Sequence, residues 1–169
     1  MLIKQLVVEA KNKVGELYNI INILSSNNID IKAVVSNAQM CDNITIAKVR
    51  LIVLNNEMAV HVLEKEGYKA VLENVVIVDI SDTPGSLTPI LKVIHEANLN
   101  IEYVYTFLTH IENKALAVFC FDDNDKAINV LKKHHYTIVT DHSIKNRYGS
   151  TQFFEERDLR EYLSTIITP

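Results

Sequence analysis

The chain has 169 residues, a formal net charge of −4, 48% hydrophobic residues and 22% charged ones. Those proportions rule out wholesale disorder, and the acidic balance argues against a nucleic-acid partner that depends on phosphate neutralisation. Four glycines and three prolines do not suit a glycine-rich phosphate-cradling fold or a long flexible linker. Two cysteines, Cys41 and Cys120, make neither a disulfide scaffold nor a four-ligand zinc site.

The N-terminal stretch meets Glu9 before a long apolar run can build up, so it reads as a strand rather than a signal peptide. No run approaches the ~18 apolar residues of a membrane span. A cytoplasmic protein with no membrane contact is expected. No dinucleotide fingerprint or phosphate loop is present, so no cofactor is expected.

Leu6-Val7-Val8 opens the chain as a strand. Leu17, Ile20, Ile21 and Leu24 then mark one helix face at i, i+3, i+4, i+7. Strands follow over 29–35 and 49–54. Ala59, Val62 and Leu63 mark a second helix, and Tyr68-Lys69-Ala70-Val71 closes the unit. The rhythm then repeats. Gly15, Leu17 and Leu24 return seventy positions later as Gly85, Leu87 and Ile94; after a two-residue change, Val62 and Tyr68 return as Val130 and Tyr136. Strands are predicted over 75–80, 99–107 and 115–121. Helices lie around Leu87, Ile90, Leu91 and Ile94, and around Ala127, Val130 and Leu131; Tyr136-Thr137-Ile138-Val139 closes the second copy.

The reading is α+β: two βαββαβ ferredoxin-like units, 1–72 and 73–141, each an antiparallel sheet with helices on one face, then an extension over 142–169. In that extension Leu159, Tyr162, Leu163, Ile166 and Ile167 form a narrow helical stripe. A helix that short must pack on its own repeats, on a second chain or on a partner; packing at a dimer contact is expected.

The equivalent loops after the first strand of each unit are Asn12-Lys13-Val14-Gly15-Glu16-Leu17 and Asp82-Thr83-Pro84-Gly85-Ser86-Leu87. Pro84 suits a first helical position, and Asp82 or Thr83 an N-cap. The plain reading of both loops is a capped helix start. A helix N-terminus opened by glycine also accepts a carboxylate. Asp30 and Asn100 open the second strands, which are expected to begin beside the first strands. Each unit then offers one carboxylate and one carboxamide, Asn12 with Asp30 and Asp82 with Asn100, chemistry that suits an amino-acid zwitterion. The bland reading is that Asp30 and Asn100 only punctuate a turn.

With Ala97-Asn98-Leu99-Asn100-Ile101-Glu102-Tyr103 and Asn28-Ile29-Asp30-Ile31, these loops resemble the ACT domain, and the duplication resembles stand-alone tandem ACT proteins over about residues 1–140. The resemblance implies a non-catalytic regulatory protein that binds an amino acid between paired units, often with sheets side by side. Its ligand-binding positions here would be Asn12, Gly15, Asp30, Asp82, Gly85, Ser86, Leu87 and Asn100. Val14 stands where the family's proline is usual and Asp30 where its asparagine is, so the first unit departs from the pattern. A homodimer that shifts between arrangements on ligand binding is implied. The alternative is a subunit that binds and controls an amino-acid biosynthetic enzyme, in the role of the small subunit of acetolactate synthase.

Other features read plainly. Tyr103, Tyr105 and Phe107 share a strand face but lack basic neighbours, so packing or a subunit contact is expected rather than base stacking. His134 and His135 are adjacent and cannot share a metal. Neither cysteine has a histidine partner in sequence, and no Ser-His-Asp order is present, so no enzyme activity is expected.

Overall fold

The computed structural model describes residues 2–41, 44–108 and 113–148. The elements are β1 (Ile3–Lys11), α1 (Glu16–Ser26), β2 (Ile31–Cys41), β3 (Ile44–Val53), α2 (Asn56–Lys65), β4 (Lys69–Ser81), α3 (Leu87–Glu96), β5 (Ile101–Leu108), β6 (Lys114–Phe121), α4 (Asn124–Lys133), β7 (Ile138–Val139) and α5 (Asp141–Tyr148). The amphipathic stripe expected at 159–167 lies outside the described residues.

The strands hydrogen-bond in the order β2-β3-β1-β4-β6-β5, with β7 on β4. The expected repeat holds residue for residue. Leu6 faces Leu51 in the first unit and Val76 faces Phe119 in the second; Ala33 faces Ile52 and Tyr103 faces Cys120. Even the β-bulges recur, at Lys32 and Glu102. One element departs from the expected pattern. The closing strand of the first unit and the opening strand of the second are a single strand, β4, of 13 residues. Its first half pairs with β1 and its second with β6, so the 72/73 boundary falls inside it.

Each unit buries its own helix-side core. Leu6, Val8, Leu51, Ile20, Leu24 and Leu63 are fully or almost fully buried in the first, and Val76, Val78, Phe119, Ile90 and Leu131 in the second. A third core lies on the helix-free faces, where Ile3, Ala33 and Ile52 meet Ile77, Leu116, Val118 and Val139. In a flat sheet β3 and β5 would stand about 19 Å apart. Instead the Arg50 guanidinium on β3 lies 4.2 Å from the Tyr103 ring centre on β5. The sheet therefore folds over at β4, and the two helix-free faces pack on each other.

Helix ends follow the same duplicated logic. Asn28 (φ 54°) and Asn98 (φ 52°) take the left-handed position after α1 and α3, which asparagine tolerates. After α2 that position is Gly67 (φ 83°), whereas after α4 it is His135 (φ 63°). Both turns close alike, Tyr68 N–H on the Leu63 carbonyl and Tyr136 N–H on the Leu131 carbonyl, each at 3.0 Å. Left-handed backbone is strained for histidine and free for glycine. His135→Gly is therefore expected to stabilise the protein by about 0.5–1 kcal/mol after the unfolded-state entropy of glycine is subtracted, measured by urea denaturation.

Candidate functional site

Gly15 and Gly85 hold equivalent left-handed positions, φ 91° and φ 86°, just before α1 and α3, and a Cβ built at either would meet nothing within 4 Å. Neither helix start carries a side-chain cap. In the second unit the expectation for Pro84 and for an Asp82 or Thr83 cap is corrected. Residues 83–86 form a turn closed by Ser86 N–H on the Thr83 carbonyl at 3.2 Å, and the helix begins at Leu87. Leu87 is half-buried against the second core, whereas Asn12, Gly15, Asp82 and Gly85 are exposed.

The expected pairing within a unit does not form. β3 separates β2 from β1, and β2 runs parallel to β1 rather than starting beside its end. Asn12 donates its N–H to the Thr45 carbonyl at the start of β3, whereas the Asp30 carbonyl accepts the Leu54 N–H beyond its end. That distance is nine residues of strand, about 30 Å. The second unit repeats the geometry. Asp82 N–H binds the Asn113 carbonyl before β6, and the Asn100 carbonyl accepts the Asp122 N–H after it. Asp30 is paired with Lys32 at 2.6 Å, and Asn100 gives its N–H to the Asp122 carboxylate at 3.2 Å. The two glycine loops thus stand near opposite ends of β4, and the two strand starts lie level with its middle.

A cleft of about 550 Å³ lies beside the first glycine loop, lined by Glu9, Lys11, Lys13, Glu16, Tyr68 and Lys69. Tyr68 donates to Glu16 at 3.0 Å, and burial together with that carboxylate raises the phenol above its ordinary range. Lys69 binds Glu9 at 2.7 Å and holds its carboxyl below the usual range.

Both outermost strands present open edges. β2 carries no charged residue over 33–41, and Glu102, at the bulge, is the only charge on β5. Val34 and Val104, equivalent residues, are 47% and 43% exposed. Long edges without charges or prolines are templates for another strand.

Periodicity alone did not reveal one polar cluster. Among the described residues Gln5 is the one polar side chain that is buried, at 0% exposure on the seam between the two sheets. Its signal was a lone amide in an apolar strand. Its Nε2 donates to Tyr103 Oη at 2.8 Å, and its Oε1 accepts from Tyr105 Oη at 2.6 Å; Tyr103 in turn donates to Glu73 at 3.0 Å. Burial pushes both phenols well above their ordinary range and raises the neighbouring Cys120 thiol. The tyrosines are thus packing residues, as expected, and they also supply the hydrogen bonds of the seam. Among the described residues no group of three or more His, Cys, Asp or Glu could hold a metal, and no helix is long and apolar enough to cross a membrane.

The duplicated body defines a tandem of ferredoxin-like units. The chain belongs to the ACT domain pair family, whose model matches residues 1–147. It is similar to a Bacteroides thetaiotaomicron protein of known crystal structure, with 26% identity over 85% of this chain and 96% of that one and a TM-score of 0.76. The regulatory subunit of aspartate kinase from Thermus thermophilus shares the fold at 15% identity, covering 79% of this chain and 92% of that one, with a TM-score of 0.59. The corresponding Thermus flavus subunit does so at 13% identity, 80% and 94% coverage and a TM-score of 0.55. No match was found among curated proteins.

Proposed function

We propose that this protein is a non-catalytic regulator that binds a free amino acid between ACT units of two chains. The observation that carries this reading is the register of the open edges. Suppose two β2 strands pair antiparallel about Val34. With the Lys32 bulge counted, Asp30 of one chain then comes level with Asn37 of the other, which pairs with Lys48, three residues from Thr45 and its partner Asn12. Pairing β5 about Val104, with the Glu102 bulge counted, brings Asn100 of one chain level with Phe107, opposite Leu116, three residues from Asn113 and its partner Asp82. A two-chain arrangement therefore unites what a single unit separates. The glycine-opened helix start would accept the carboxylate of the ligand, and Asp30 its ammonium group. Asn12, Gly15, Asp82, Gly85, Ser86, Leu87 and Asn100 would line the cups.

The test is a thermal-shift screen of the full chain against the twenty amino acids, with calorimetry and light scattering on Val34→Lys/Val104→Lys. One amino acid is expected to raise the melting temperature and bind in the roughly micromolar to millimolar range typical of a sensor. The double variant is expected to stay folded, become monomeric and lose that binding. Binding unchanged in a monomeric variant, or no response to any amino acid, overturns the reading.

A further inference from the structure

The helix-free faces of the two units are built alike in backbone and unlike in chemistry. Where the first unit has Gln5, Ala33, Val35 and Arg50, the second has Val75, Tyr103, Tyr105 and Val118 at the same register positions. The polar contacts that cross the seam at these positions join the odd groups on one face to the odd groups on the other. Both ends of the Gln5 amide are used by the two tyrosines, the Arg50 guanidinium covers the Tyr103 ring, and Tyr103 reaches Glu73. Arg50 is held from behind by a hydrogen bond to Asn37.

We infer that this cluster is a selection device: it makes the helix-free face of the first unit accept only that of the second unit. Like faces would otherwise be near-equal partners, because duplication gave both the same curvature and apolar frame. Two first-unit faces brought together would bury two Gln5 amides against Ala33 and Val35, which offer no side-chain partner. Two second-unit faces would bury four tyrosine hydroxyls against Val75. A buried polar group without a partner is costly, so the mismatched pairings are excluded while the matched one gives the Gln5 amide and both tyrosine hydroxyls a partner. β4 gives the device something to prevent. One unbroken strand links the units, and opening about it would let a face reach another chain. The inference is independent of the ligand reading.

The full-length chain tests it. Labelled and unlabelled protein are unfolded together and refolded, and isotope-filtered NOEs are recorded between methyls of Ala33 and Ile52 and those of Leu116 and Val118. Pairing through β2 or β5 edges does not create these contacts between chains. In the wild type the seam signal is expected to be intrachain. In Gln5→Val/Tyr103→Phe/Tyr105→Phe the ratio of interchain to intrachain signal is expected to rise about tenfold, with doubled amide peaks, on the scale of one forfeited buried hydrogen bond. Gln5→Leu alone is expected to show a smaller rise in the same direction, and it carries the test if the triple variant does not fold. Folded variants with purely intrachain seams overturn the inference. So does loss of folding in both variants, which would make the cluster a stabiliser rather than a selector.

Discussion

Phe119→Ala is expected to lower the unfolding free energy by about 3–5 kcal/mol. Phe119 has no exposed surface, stacks on Phe121 with ring centres 5.5 Å apart, and packs in the second core with Ile90, Ile94 and Leu131. Truncation removes the transfer energy of the ring and leaves a void that fixed strands on either side cannot close. A domain of this kind holds about 5–15 kcal/mol in total, so the loss is a large share. The shape of the transition is as informative as its midpoint. Phe119 pairs with Val76 on β4, the strand that also carries the β1 pairing of the first unit. Urea unfolding followed by circular dichroism is expected to remain a single transition at lower denaturant. A biphasic curve with the first unit unaffected would show that the shared strand does not couple the units.

Stability is also expected to fall steeply in alkali. Tyr103 and Tyr105 have phenol pKa values raised by burial on the seam, and Arg50 opposes the shift at Tyr105 only in part. The direction follows from linkage. Above about pH 10 the unfolded chain releases these protons while the folded chain keeps them, so the unfolded state is favoured as pH rises. Their contribution is complete below the unfolded value and is lost as pH climbs toward the folded one. Each tyrosine still protonated in the fold steepens the decline by at most about 1.4 kcal/mol per pH unit. Urea midpoints at pH 9, 10 and 11 measure the slope. Tyr105→Phe is expected to flatten it, although that variant is less stable at pH 7 because Gln5 Oε1 loses its donor. An unchanged slope in Tyr105→Phe would remove this residue from the account.

The duplication was readable because it lies in short-range chemistry. Leu24 and Ile94 recur on the buried helix faces, and Gly15 and Gly85 recur wherever a left-handed residue must precede a helix. Other positions on those faces misled. Leu17 and Leu91 match the apolar spacing yet are 43% and 39% exposed, because helical period states which side a residue takes and not how far the sheet extends beneath it. The pairing of Asn12 with Asp30 failed for a related reason. The right-handed crossover carries the chain back along α1 and past β3, so residues eighteen apart in sequence end at opposite ends of the sheet.

Strand and helix periods, glycine and asparagine at left-handed positions, and the two-copy architecture were all carried by the amino-acid order, since each depends on a residue's own backbone preference or on neighbours within one turn or hairpin. The fusion of two strands into β4, the packing of helix-free faces and the burial of Gln5 between two tyrosines about a hundred positions away emerged only with the fold in three dimensions. Those features rest on contacts between segments remote in sequence, where the energy of matching one surface to another, not local conformational preference, selects the arrangement.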